Sequence, residues 1–251
     1  MKNSSKPFEN QADIIDKTKQ KIRHEIWNLL EQRQVALFPK PVIGRIPNFK
    51  GAVEAAKKLR ASRQFAQASI VKVNPDSPQK AVRENVLQDG KTLIMPTPRI
   101  KHGFLMVKPG KLSHLQIAEA ATIAGAFKHG EKIHPRDLPT IDLMVVGSVA
   151  VSPNGWRIGK GEGYSEIEFA ILKTFGKITD ETPIWTTVHD LQIVQEIPFM
   201  PYDVPVDRIF TNTKIINCPR NSKPYGILWQ CLTKEKIESI PLLEELMEDT
   251  F

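Results

Sequence analysis

Apolar residues along this chain keep two periods in turn. Ile15, Ile22, Ile26, Leu29 and Leu30 recur at spacings of three, four and seven, which predicts an amphipathic helix ended by Pro39 and Pro41. Residues 1–10, ahead of it, form an N-terminus expected to be flexible. A short helix is predicted over 50–60, with Ala52, Val53, Ala56 and Leu59 apolar. "ASIVKV" (68–73) is a compact β-branched run, read as a strand, and "NPDSP" turns the chain after it. Residues 79–89 predict a helix stopped by Gly90. "TLIMP" predicts a strand, and "GFLMVKPG" another or an edge hairpin. An Ala-rich helix is expected over 113–128, before Gly130. "IDLMVVGSVAV" (141–151) carries the strongest strand signal, continuous and branched, hence buried on both faces. "PIWTTVHD" is a further strand. The alternation predicts an α/β fold: a mainly parallel sheet flanked by helices, Rossmann-like and three-layered, with residues 11–251 as one domain. Ligands of such sheets bind beyond the carboxyl ends of the strands.

Composition narrows the function classes. The chain has 251 residues, 41% apolar and 25% charged, as ordinary globular proteins do. No apolar run approaches the ~18 residues of a membrane span, and "MKNSSKPFENQ" has no apolar core of a secretory signal. Cys218 and Cys231 make neither a disulfide framework nor a zinc cluster, so a cytoplasmic, reducing setting is expected. A formal charge of +7 favours anionic partners: nucleotides, phosphorylated or polycarboxylate ligands, or nucleic acid. The basic residues are scattered, without the aromatic-rich basic stripe that single-stranded nucleic acid needs, so nucleic acid is not the expected partner.

The chemistry concentrates in "GWRIGKGEGYSEIE", residues 155–168. Gly159, Gly161 and Gly163 alternate with Lys160 and Glu162, behind Arg157. The stretch follows the strongest strand and leads into a helix, whose start reads as a capping box of Ser165 and Glu168. Free amides at a helix start attract anions, and glycines let backbone approach a phosphate. A plain connecting turn is the competing reading. Neither known phosphate loop fits: the Walker pattern lacks a spacer and the Ser or Thr after lysine, and in the dinucleotide pattern Gly163 comes one residue early.

A third pattern fits. The stretch resembles the signature of the 5-formyltetrahydrofolate cyclo-ligase (methenyltetrahydrofolate synthetase) family, G-x-R-[LI]-G-x-G-x-G-Y-Y-D. Gly155, Arg157, Ile158, Gly159, Gly161, Gly163 and Tyr164 match, while Ser165 replaces the second tyrosine and Glu166 the aspartate. "KQKIR" supplies the family's Lys-x-x-x-Arg as Lys19 and Arg23, "GKTLIMPTP" resembles its central strand, and "IPFMPYDVPVD" its late segment with Asp203 and Asp207. "FPKPVIGRIPNFKGA" and "TTVHDLQIV" look more like the methenyltetrahydrofolate synthetase domain-containing branch. Some of its members carry an RNA-recognition domain after this region; no aromatic RNP-type strand is read here.

The resemblance implies ATP and Mg²⁺ as cofactors and a folate-like substrate. ATP would phosphorylate the formyl oxygen of 5-formyltetrahydrofolate, N10 would attack the activated carbon, and 5,10-methenyltetrahydrofolate, ADP and phosphate would result. Lys19 and Arg23, Arg157, Gly159, Lys160, Gly161, Glu162, Gly163, Tyr164 and Ser165 would bind nucleotide, with Arg157 and Lys160 taking the catalytic charge-stabilising role. Tyr164 could also pack on the pterin, and Glu166 and Asp203 would hold the metal. Residue by residue, ordinary structural roles compete: snorkelling cations for Lys19 and Arg23, and a helix-dipole role for Glu166. Glu162, beside a phosphate, is expected to point away, pair with a lysine or help hold a cation. Asp207 reads as a chain-fixing hydrogen-bond acceptor, His189 and Asp190 point to opposite faces of a strand and do not pair, and Asp76 is the one acid where the family faces the pterin. Two further readings stay open: a nucleotide-binding paralogue with another acceptor, and a non-catalytic RNA- or ligand-binding module.

Overall fold

The computed structural model describes residues 6–110 and 112–248. Of the N-terminal stretch expected to be flexible, residues 1–5 lie outside that range, and residues 6–10 open helix α1 (Lys6–Gln32). In chain order there follow α2 (Ala52–Arg60), α3 (Arg63–Gln67), β1 (Ile70–Val73), α4 (Lys80–Gln88), β2 (Thr92–Pro96), β3 (Phe104–Val107), α5 (His114–Ala120), α6 (Ile123–His129), β4 (Glu131–Ile133) and β5 (Leu143–Val146). A small hairpin of β6 (Ala150–Val151) and β7 (Arg157–Ile158) comes next, then α7 (Tyr164–Thr174), β8 (Ile184–Val188), β9 (Arg208–Thr211), β10 (Ile215–Asn217), α8 (Lys234–Glu238) and α9 (Pro241–Glu248).

Eight strands form one sheet in the order β10-β9-β8-β5-β1-β2-β3-β4. The five from β9 to β2 run parallel, and β3, β4 and β10 add antiparallel edges. The strand period of two sorts side chains into two cores. Val71, Val73, Leu93, Met95, Leu143 and Val145 pack under α2, α4 and α5. Their neighbours Ile94, Met144 and Val146 pack on the other face with α7 and α9. The result is the mainly parallel three-layer α/β fold that the apolar pattern predicts.

Four local expectations are corrected. Helix α1 stops at Gln32, before either proline, because Gln34 turns left-handed (φ 53°) and the Val35 and Ala36 amides fold back on the Leu30 carbonyl. In α2, Val53 faces solvent, while Ala52, Ala56 and Leu59 are buried. The helix over 113–128 is two helices. The Thr122 hydroxyl accepts from the Gly125 amide and restarts the chain as α6, and a Cβ on Gly125 would lie 1.9 Å from the Glu119 carbonyl oxygen. The run 141–151 is not one strand: after Val146 the chain leaves the sheet, and Ala150–Val151 pair with Arg157–Ile158 instead.

Candidate functional site

A cavity of about 630 Å³ opens beyond the carboxyl ends of β1, β2 and β5, where Asn74, Thr97 and Gly147 line it. Its opposite wall is the glycine loop, which hangs from β7 rather than directly from β5 and runs into α7. Gly163, left-handed at φ 73°, caps α7 without a side-chain bond, so the expected capping box does not form. Ser165 and Glu168 are engaged elsewhere. The first-turn amides of α7 are the ones a helix leaves unsatisfied.

Helix α1 closes the cavity from above. Ile26, Trp27 and Leu30 anchor it on Val149, Ala150 and Ile158 of the hairpin region. One turn earlier, Lys19 and Arg23, four residues apart on one face, both line the cavity and are both buried. Lys19 Nζ donates to Asp203 Oδ2, which also accepts from the Met200 amide at 2.7 Å. Burial pushes the Asp203 carboxyl up, and Lys19 opposes that shift. Arg23 Nε donates to the Gly159 carbonyl at 2.8 Å, and burial lowers its pKa. The guanidinium also covers Gly161 (φ 104°), where a Cβ would stand 3.4 Å from Arg23 Cζ.

Arg157 is the centre of the arrangement. Its Nη1 donates to the Gly147 carbonyl at 3.3 Å, and its Nη2 to Ser165 Oγ at 2.9 Å and Glu166 Oε1 at 2.6 Å. Arg157 Nε and Arg23 Nη1 are buried without a hydrogen-bond partner among the described residues. Two cationic donors thus stand ready for an acceptor the fold does not supply. On the exposed rim, Lys160 pairs with Glu162 at 2.7 Å, one of the arrangements expected for that glutamate. Tyr164 lies under the Lys236 ammonium, 4.1 Å from its ring centroid.

All ten residues expected to touch nucleotide, with Glu166 and Asp203, therefore line one cavity. Asp207 lies outside it. Its carboxylate accepts from the Ile184 amide at 2.7 Å and from Lys223 at 3.0 Å, fixing the chain. His189 Nδ1 accepts from the Leu191 amide, and Asp190 accepts from Thr213 Oγ1, so the adjacent pair has separate partners.

One sequence expectation gains a geometry here, and one pair escaped sequence reasoning. Asp76, in the "NPDSP" turn, faces the cavity, and its Oδ2 would lie 2.7 Å from a Cβ on Gly147. Only glycine at that strand end admits the carboxylate, whose pKa is raised by burial. Glu168, also at the cavity wall, is held by Lys72 of β1 at 2.5 Å, and Lys72 also donates to Asn74 Oδ1 at 2.7 Å. The signal was present: a lysine inside the buried run "IVKV" must find a partner.

A charged cavity over the carboxyl ends of a parallel sheet is the plan of an α/β domain with a small-molecule site. The chain belongs to the 5-formyltetrahydrofolate cyclo-ligase family, whose model matches residues 15–212. It is 43% identical over 237 residues to the Homo sapiens methenyltetrahydrofolate synthase domain-containing protein, covering 91% of this chain and 61% of that one. With the Danio rerio protein of the same name it shares 40% over 235 residues, again 91% and 61%. The chain thus spans about three-fifths of the curated relatives it matches, and these relatives lie in the branch that the sequence resembles. The solved 5,10-methenyltetrahydrofolate synthetase of Aquifex aeolicus superposes with a TM-score of 0.51 at 17% identity, covering 87% of this chain and 100% of that one, a likeness of fold.

Proposed function

We propose that this domain is an ATP- and Mg²⁺-dependent cyclo-ligase that converts 5-formyltetrahydrofolate to 5,10-methenyltetrahydrofolate, releasing ADP and phosphate. The observation that carries the reading is the meeting, in one cavity, of Lys19, Arg23, Arg157 and the glycine loop with Glu166 and Asp203. The unpartnered donors on Arg23 and Arg157 fit a polyanion, which would complete both guanidinium groups. Two carboxylates suffice for Mg²⁺, which takes one or two together with phosphate and water. ATP, when bound with the metal, supplies the phosphoryl group that activates the formyl oxygen.

The chain's own residues position and neutralise. Glu166 holds Arg157 and Asp203 holds Lys19. A bound phosphate would offer Arg157 and Lys19 charge-assisted contacts of the same kind. Glu166 and Asp203 would then be the oxygen ligands that hold the metal. Lys160, on the rim, screens charge. Asp76 faces the cavity from the sheet side, where it would accept from the N–H edge of the pterin, and Tyr164 packs beside the ring. No described helix is long and apolar enough to cross a membrane; a cytoplasmic location belongs to the proposal.

The direct test mixes protein, ATP, Mg²⁺ and 5-formyltetrahydrofolate and follows methenyl absorbance. No product, beside an active enzyme as control, overturns the reading. Ser165 and Glu166, at the two departures from the family signature, favour one alternative: the same nucleotide site with another acceptor. Calorimetry separates them, because ATP binding without folate binding supports the alternative.

A further inference from the structure

A second, smaller cavity of about 230 Å³ lies against the same glycine loop. Its walls are Ile167 and Ala170 of α7, Tyr202, and the segment from Pro224 to Lys236. That segment lies beyond residue 212, where the family match ends. The two cavities share Gly161, Glu162, Gly163, Glu166 and Tyr202, so the loop is the partition between them.

The new wall is firmly built. Lys236 Nζ donates to the Glu162 carbonyl at 3.0 Å, tying α8 to the loop. Thr233 caps α8 through its hydroxyl, and Ile227, Trp229, Leu232 and Ile237 pack on the main core. The lining is the reverse of the first cavity's. Ile167, Ala170, Ile227, Leu228 and Leu232 make it apolar, and its one cation, Lys236, is already occupied by the Glu162 carbonyl and the Tyr164 ring. Such a space suits a flat, uncharged ring beside Tyr202, and it offers a phosphate no unengaged cation.

A nucleotide is a polyanion joined to such a ring, and the partition here is a short loop with no side chain at Gly161 and Gly163. We propose that the second cavity is a base-binding subsite, which takes the purine of the nucleotide whose phosphates lie in the first cavity. The inference rests on the nucleotide part of the proposed function, and it gives the C-terminal segment a role in selecting the ligand.

Cys231 provides the test, because its exposed thiol lines the second cavity. Cys218, half-buried with its thiol pushed up to about 12 by burial, stays unreactive as an internal reference. The whole chain is treated with iodoacetamide in the presence of Mg²⁺, and each cysteine is followed by mass spectrometry. Binding of ATP and of inorganic triphosphate is measured in parallel by calorimetry. At ATP a hundred times its Kd, Cys231 should be alkylated at least about tenfold more slowly, whereas saturating triphosphate should leave its rate unchanged. Ala170 lines only the second cavity, and Ala170→Leu should weaken ATP about tenfold without changing triphosphate affinity. ATP that binds without protecting Cys231, equal protection by triphosphate, or an equal loss of both ligands in Ala170→Leu overturns the inference and leaves the nucleotide reading standing. No ATP binding by calorimetry overturns both.

Discussion

Glu166 and Glu168 stand two residues apart on α7, each facing a cation, and the two ion pairs do opposite things. Glu168 meets Lys72, whose side chain is 0% exposed, and Asn74 takes a further hydrogen bond from the same ammonium. Burial pushes the Glu168 carboxyl up while Lys72 pulls it back. Glu166 meets Arg157 with its own side chain 18% exposed, and that guanidinium keeps an unpartnered Nε. The first pair is closed and holds α7 to the sheet. The second is unfinished, and an incoming anion can enter it. The difference lies in what remains unsatisfied, since both pairs are short and both cations are buried.

The largest test breaks the closed pair. Lys72→Met leaves Glu168 buried without its cation, and should lower unfolding free energy in urea by about 3–5 kcal/mol. Lys72→Met with Glu168→Leu should recover most of that loss; a harmless single substitution would show that the pair does not hold α7. The open pair should respond in binding instead. Arg157→Ala removes charge-assisted contacts of about 1.5–3 kcal/mol, which is roughly ten- to a hundredfold in ATP affinity by calorimetry. Glu166→Gln sharpens the contrast: without the internal competitor, ATP should bind a few-fold tighter in the absence of Mg²⁺, and Mg²⁺ should add less. The smallest effect belongs to the rim, where the exposed Lys160–Glu162 pair predicts a change of only about 0.2–1 kcal/mol in ATP binding for Lys160→Ala.

Long-range order was legible wherever one period ruled a segment. The runs "IVKV", "TLIMP" and "IWTTV" have buried, branched residues and became β1, β2 and β8. The edge strands β4 and β10 were not read, because they are three residues each and largely exposed, so burial leaves no pattern. The apolar run 141–151 hid its own break. Ala150 and Val151 are as buried as β5, but Ala150 packs under α1 and Val151 joins the main core from outside the sheet, and hydrophobicity does not record which neighbour covers a residue. Most site residues were legible through local motifs, the glycine loop and Lys19/Arg23. Lys72–Glu168 was not, since its partners are 96 positions apart and only the fold brings them together.

Among the described residues, the hairpin of β6 and β7 shares no ladder with the large sheet, and its one outside bridge runs from Val151 to Ile193. The hairpin sends Arg157 into the cavity, where Ser165 and Glu166 of α7 meet it, so both departures from the family signature fall on partners of one guanidinium rather than on the large sheet.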